Sequence, residues 1–389
     1  MYRSTIVCGV IYYVFLGNNV LAQWVIEDEG CRTPDRGVGN CISVRDCAPM
    51  KTLLQNLKRP VPASVSRQIQ AYTCGSQDGA VKVCCPQGPI VLNQLQTINR
   101  NEPPDVSNHP NLDLLPGFQE CGAIDNKHRI VNGKDAGLRE FPWMALLQYR
   151  TRRGLGFNCG GTIINDRYIL TAAHCITQLK NSQLLQVRVG EYDLRNDTDC
   201  VTENNTLKCN PPIQDLRIEE VIPHPEFNTG DSFSNDIGLL RVNRIRLNRE
   251  NVQPICLPLG KKRNKIYNKV LVAGWGVVDT STGRTSDVLQ FVSLPVADRA
   301  TCNATYRNHN IGLTYKQICA GATTDNKDSC PGDSGGPMMG ADVNDDFSAI
   351  YIQQGIVSFG PRFCGLPGYP GVYTLVAHYM DWILDNIKP

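Results

Sequence analysis

Apolar positions along this chain fall into three textures. Behind Arg3 they form one run from Ile6 to Leu16. Between Cys31 and Cys85 they are sparse. From Ile130 onward, short apolar runs recur at Gly161–Ile164, Tyr168–Leu170, Gln186–Val189, Lys269–Ala273 and Gln354–Val357, each bounded by Gly, Pro, Asn or Asp. Short bounded runs predict strands, so this last part reads as all-β. Its 260 residues suit two packed barrels. One helix is expected at the end, where Val376, Tyr379, Trp382, Ile383 and Ile387 share a helical face.

The first run is shorter than the ~18–20 apolar residues a membrane span needs. Val20-Leu21-Ala22 follows it with small residues before Gln23, which reads as a secretory signal peptide over residues 1–22. The mature chain is then expected outside the cell, with no membrane span. The 39 Lys and Arg against 37 Asp and Glu give a formal +2, and no half carries a basic block, so no nucleic-acid partner is implied. Of 17 cysteines, Cys8 leaves with the signal peptide. An even remainder in an oxidising compartment, with no Cys-x-x-Cys pair, points to disulfides rather than metal or redox sites.

Six of those cysteines, Cys31, Cys41, Cys47, Cys74, Cys84 and Cys85, lie in a stretch too short and too poor in large apolar groups to fold on its core alone. Residues 23–85 therefore read as a disulfide module. Adjacent Cys84 and Cys85 are badly placed to pair with each other. Residues 86–129 turn to Pro, Asn, Gln and Asp and read as an extended, protease-accessible linker and activation segment carrying Cys121. The β-rich domain then spans 130–389.

Two strings carry chemistry. Thr171-Ala172-Ala173-His174-Cys175 sets a histidine after an apolar strand, and Gly332-Asp333-Ser334-Gly335-Gly336-Pro337 sets a serine in a glycine-rich turn. A serine hydroxyl is a poor nucleophile until a base takes its proton, and imidazole titrates near the working pH. The base needs a buried carboxylate to fix its tautomer. Asn235-Asp236-Ile237-Gly238-Leu239-Leu240 offers one, an acid entering an apolar run. Rival chemistries lack their motifs: there is no His-Glu-x-x-His, and Gly154-Leu155-Gly156 is followed by Cys159 where a phosphate loop would need glycine.

In the order His, Asp, Ser, these strings resemble the chymotrypsin-like serine proteases over residues 130–389. The resemblance implies two six-stranded antiparallel β-barrels with a C-terminal helix. His174 would be the general base, Asp236 its orienter and Ser334 the nucleophile, with the N–H groups of Gly332 and Ser334 as oxyanion hole. Pro331 lacks an N–H, but the donor needed belongs to Gly332. Gly238 stands where the family more often has Ala. Asp328 matches the acid of a trypsin-like S1 pocket, and Gly360 and Gly371 match its walls, implying cleavage after Arg or Lys. Arg129-Ile130-Val131-Asn132-Gly133 resembles a zymogen activation site, with the freed Ile130 amine pairing with Asp333.

Residues 31–85 resemble a clip domain, which implies the bridges Cys31–Cys84, Cys41–Cys74 and Cys47–Cys85. The protease resemblance implies Cys121–Cys256, Cys159–Cys175, Cys302–Cys319 and Cys330–Cys364, leaving Cys200–Cys209 to close a local loop. The whole is similar to easter-like and prophenoloxidase-activating proteases. That implies a haemolymph-like fluid, innate immunity, Toll signalling or melanization, an upstream trypsin-like activator, a serpin inhibitor, and a proprotein substrate, either a Spätzle-like precursor or a prophenoloxidase. Glu191, Asp193 and Asp199, with the Asn196 carbonyl, have the hard-oxygen character that suits structural Ca²⁺, at the family's calcium loop. Three Asn-x-Thr sequons begin at Asn196, Asn204 and Asn303. Two other readings compete: a non-catalytic cascade adaptor, which the presence of all three catalytic residues opposes, and a digestive protease, for which the module and linker have no use.

Overall fold

The computed structural model describes residues 30–34, 37–57, 69–77, 80–90, 102–123, 135–152, 154–179, 181–230, 233–321, 328–361 and 364–389. The signal-peptide stretch and the Arg129–Ile130 bond lie outside them. The chain divides into two units, Met1–Ile98 and Asn99–Pro389.

In the first unit, strands β1 (Cys31–Arg32), β2 (Val38–Ser43), β3 (Thr73–Gln77) and β4 (Ala80–Pro86) form a sheet in the order β1-β2-β4-β3, beside helix α1 (Ala48–Asn56). Its core is small: Cys47, Met50, Tyr72, Val83 and Ile90. Three disulfides, Cys31–Cys84, Cys41–Cys74 and Cys47–Cys85, tie it together. Cross-links of this kind remove unfolded-state freedom that so small a core could not otherwise offset.

The second unit is two barrels. The first closes as β11-β12-β7-β6-β5-β8, from β5 (Met144–Thr151), β6 (Gly154–Ile163), β7 (Tyr168–Thr171), β8 (Ser182–Val189), β11 (Gln214–Pro223) and β12 (Gly238–Val242). A side hairpin of β9 (Cys200–Glu203) and β10 (Thr206–Cys209) carries its own disulfide, Cys200–Cys209. The other six-stranded sheet runs β16-β13-β18-β19-β20-β17, from β13 (Lys269–Gly274), β16 (Gln290–Pro295), β17 (Gln317–Ala320), β18 (Pro337–Val343), β19 (Ala349–Phe359) and β20 (Gly371–Leu375). A bridge between Val296 and Ala320 draws its two ends together. Strands β14 (Val277–Asp279) and β15 (Arg284–Thr285) form a minor hairpin. The apolar runs noted from Ile130 onward lie in these strands, but for Ile164, one residue past the end of β6. The closing helix is a 3₁₀ turn, Val376–Tyr379, leading into an α-helix, Met380–Asn386. Val376, Tyr379, Ile383 and Ile387 are buried, as their shared face requires. Cys159–Cys175, Cys302–Cys319, Cys330–Cys364 and Cys121–Cys256 complete the disulfides, so the eight pairs are those the resemblances imply.

Residues 102–123 depart from the extended linker expected of their composition. Val106 and Leu115 are buried in the main core of the second unit. Asn111 Nδ2 donates to the carbonyls of Leu384 and Ile387, satisfying the open end of the last helix. His109 Nε2 lies 3.2 Å from Asp385 Oδ1, and Asn165 Nδ2 donates to Leu114 O at 3.0 Å. A few apolar anchors among polar residues are too widely spaced to show a period, which is why composition misreads this segment.

Candidate active site

Strand β7 runs into a short helix, Ala173–Thr177, and so fixes His174 at the barrel rim. Its Nδ1 lies 2.7 Å from Asp236 Oδ2, and its backbone N–H donates to Asp236 Oδ1 at 2.9 Å. The Ser358 hydroxyl donates to Oδ2 at 2.5 Å, and the Thr374 hydroxyl donates to the Asp236 carbonyl at 2.9 Å. Asp236 is fully buried, so donors on both carboxylate oxygens are what make its burial tolerable. A carboxylate accepting at Nδ1 holds the imidazole proton there and leaves Nε2 as the acceptor. On the Nε2 side are the Cys159–Cys175 disulfide, with Cys175 Sγ at 3.6 Å. Among the described residues, Cys159, His174 and Cys175 are the one group of three ligand-type side chains within 4.8 Å of each other. Both sulfurs are spent in the disulfide, so it is no metal site.

The serine turn is built for close approach. Gly332 has φ +103°, and a side-chain carbon there would lie 2.9 Å from Gly276 Cα. Gly335 has φ +80° and presses against Thr171 and the Gly160 carbonyl. Both positions demand glycine. Gly160 N–H donates to Ser334 O at 2.8 Å, which fastens the turn to β6, one residue from the disulfide beside His174. Among the described residues the Ser334 hydroxyl has no hydrogen-bond partner, and the N–H groups of Gly332 and Ser334 donate none either. The structure thus joins His174 to Asp236 and fastens the Ser334 turn to β6 and to Thr171 and Ala172, just ahead of His174, without a Ser334–His174 hydrogen bond.

Asp328, six residues before Ser334, accepts from the N–H of Ser329 at 2.8 Å and of Gly365 at 3.3 Å. Burial pushes its pKa up to about 6. A side chain on Gly371 would meet Asp328 Oδ1 at 3.0 Å, and one on Gly360 would meet Gly371 Cα at 3.7 Å. The three expected pocket residues therefore lie side by side. Asp333 accepts from Gly276 N–H and Cys330 N–H, both at 2.8 Å, and burial raises it to about 6 as well. Among the described residues no cation pairs with it. A cavity of about 510 Å³ reaches from Asp328 to Asp333.

The residues read as a calcium set converge only in part. Glu191, Asp193 and Asp199 are all buried. Asp193 is turned aside: its carboxylate takes both Nε and Nη2 of Arg195 and the Asn196 side-chain amide. Asp199 is pushed up to about 6, by burial first and by Glu191 next. Asp199 and Glu191, the latter also 3.3 Å from Arg188 Nη1, keep the oxygen character that suits a hard cation, while the Asp193 carboxylate is taken up by the Arg195 guanidinium and the Asn196 side-chain amide. Asn196 and Asn204 are exposed, the latter at the β9–β10 turn with φ +49°. Asn303 lies in helix Arg299–Arg307 with its Oδ1 buried and without a partner.

Sequence reading missed three contributors. Ser358 and Thr374 brace Asp236 from β19 and β20, and Phe233 packs edge-on to His174 at 5.9 Å while stacking on Phe359 at 5.0 Å. Phe233 has φ +57° and is set three residues before Asp236. The nearness of Ser358 to Gly360, and of Phe233 to Asp236, was the available signal.

A family model described as trypsin matches residues 130–383, and one described as the regulatory CLIP domain of proteinases matches residues 31–85. The chain is a clip-domain member of the trypsin family. Like other trypsin-family chains with this site, it is a serine endopeptidase. Melanization protease 1 of Drosophila melanogaster is 39% identical, over 92% of this chain and 93% of that one. Phenoloxidase-activating factor 3 of Holotrichia diomphalia is 36% identical over the full length of both. The crystal structure of the Drosophila Grass clip serine protease of the Toll pathway superposes with TM-score 0.62 at 32% identity, over 92% of this chain and 97% of that one. In this trypsin-like chain, no helix among the described residues is long and apolar enough to cross a membrane.

Proposed function

We propose that this protease is a secreted zymogen, activated by cleavage after Arg129, that cuts proproteins after Arg or Lys in an extracellular immune cascade. The observation that carries the reading is the His174–Asp236 contact at 2.7 Å, and the nearness of Gly371 and Gly360 to Asp328 supports a slot that would admit a basic side chain. An arginine or lysine entering that slot brings the partner a buried carboxylate needs. Ser334 Oγ then attacks the carbonyl carbon while His174 Nε2 takes its proton, and Asp236 stabilises the imidazolium through Nδ1–H. The oxyanion meets the free N–H groups of Gly332 and Ser334, a type of donor worth about 2.7–4 kcal/mol apiece. His174 returns the proton to the leaving amine, and water repeats the cycle on the acyl-Ser334 ester.

Before cleavage, Asp333 is a half-buried acid braced by two amides. Cleavage would free the Ile130 α-ammonium to pair with it, ordering the pocket and the oxyanion hole. Because that amine must be protonated, activity should fall at alkaline pH. An upstream trypsin-like protease suits the Arg129 site, and a serpin is the inhibitor class expected. A structural Ca²⁺ would be held by Glu191 and Asp199. The names of the relatives, melanization and phenoloxidase activation on one side and the Toll pathway on the other, support an immune cascade. The test is to purify the full chain, cleave it after Arg129, and offer arginyl and phenylalanyl amides, then a Spätzle-like precursor and a prophenoloxidase. Arginyl hydrolysis that appears only after cleavage supports the reading. Equal rates before and after cleavage, or no preference for Arg, overturn it.

A further inference from the structure

From Phe141 to Gly190 the chain holds a single acidic residue, Asp166, against Arg150, Arg152, Arg153, Arg167, Lys180 and Arg188. The fold concentrates part of this imbalance. Strands β5 and β6 meet in a hairpin with Thr151 opposite Gly154, and β5 is flanked by β8, with Arg150 opposite Gln183. Arg150 and Arg152 are exposed at the tip, and among the described residues neither has an acidic partner. Arg152 reaches only Asn181 Oδ1, at 3.2 Å. Arg188, lower on the same wall, is already engaged by Asp215 and Glu191. Leu155, beside the two arginines, is 62% exposed.

The hairpin is tied to the reacting centre. Its strand β6 descends from Leu155 to Gly160, whose N–H holds the Ser334 carbonyl, and passes Cys159, bonded to the cysteine after His174. Five residues of strand span about 16 Å. Asp328, which would take the side chain before the broken bond, lies against Gly371 on β20 of the other barrel, not against the hairpin. The flank with the hairpin is therefore left for the part of the substrate that departs. An extended chain covers the same 16 Å in about five residues.

We infer that Arg150, Arg152 and Leu155 form a specificity surface for an acidic segment with an apolar residue, three to five positions after the cleaved bond in the protein substrate. The inference rests on the proposed active site. Unpaired exposed arginines attract anionic partners and disfavour cationic ones.

The test compares arginyl peptides identical up to the first residue after the cut and carrying Asp-Leu-Glu or Lys-Ser-Lys at the third to fifth. The cleaved enzyme is expected to favour the acidic peptide about five- to tenfold in kcat/KM at low salt, the combined worth of two exposed charge pairs. The preference should shrink with added salt, reverse in R150E/R152E, and survive in R150K/R152K. A small arginyl amide with nothing beyond the bond reports folding and the active site separately. If it is cleaved normally while both peptides react equally, the surface is not a substrate site and only this inference fails. If it is not cleaved, the active-site reading fails. Binding of a sulfated polysaccharide fragment without any peptide preference would also overturn the inference.

Discussion

The His174–Asp236 corner and the Asp328–Asp333 region are finished to different degrees. At the first, every oxygen of the buried carboxylate has a donor, and the imidazole is already in the tautomer a base requires. At the second, two half-buried carboxylates are raised to about 6 and have only amide donors. The base is thus assembled by the fold alone, whereas substrate recognition and transition-state binding need positive charge to arrive. On the proposed function, one cation would come with the substrate and the other from cleavage after Arg129.

The largest effect should come from breaking the finished side. H174A or S334A in the cleaved enzyme should lower kcat for an arginyl amide by about 10⁶-fold, as removing either member of a serine–histidine pair does elsewhere, with the circular dichroism spectrum unchanged. Next is the slot: D328S should lower kcat/KM for arginyl substrates by about a thousandfold, the order expected when one partner of a buried charge pair is removed, while a phenylalanyl amide loses little. If arginyl cleavage survives D328S, the slot does not read charge.

Asp333 sharpens the contrast through pH. Its pKa is about 6 folded against 3.8 unfolded, so ionising it opposes folding. That penalty is absent below pH 3.8, grows between 3.8 and about 6, and is complete above. In the uncleaved chain, D333N should therefore raise unfolding stability at pH 7 by an amount on the order of 3 kcal/mol, with the gain vanishing near pH 4 in denaturant titrations. In the cleaved enzyme the same change should remove most activity instead. The smallest effect concerns Glu191 and Asp199, another buried acid pair. Millimolar Ca²⁺ should raise the melting temperature of the wild type by a few degrees, the size of shift about 1 kcal/mol gives a domain this large, and E191Q should abolish the rise.

Much of this was legible in the sequence because it depends on short strings. Thr171–Cys175 and Gly332–Pro337 are local turns whose residue types are dictated by close approach, and the cysteine spacings are constrained by bond geometry. What was illegible depends on distant pieces meeting. Ser358 reaches Asp236 across 122 positions of sequence, and Asn111 meets Leu384 across 273. The surroundings of the expected calcium residues were illegible for a related reason: hard-oxygen residues at a suitable spacing do not reveal that a neighbouring arginine pairs with Asp193.

Residues 102–123 bear on what a cut at Arg129 can change. Their seating is twofold, a disulfide from Cys121 to Cys256 and a set of contacts that ends on the last helix. A single severed peptide bond would then alter reactivity without altering address. The protease would keep its leading module as luggage, and wherever that module berths, catalysis would be confined to the same quay.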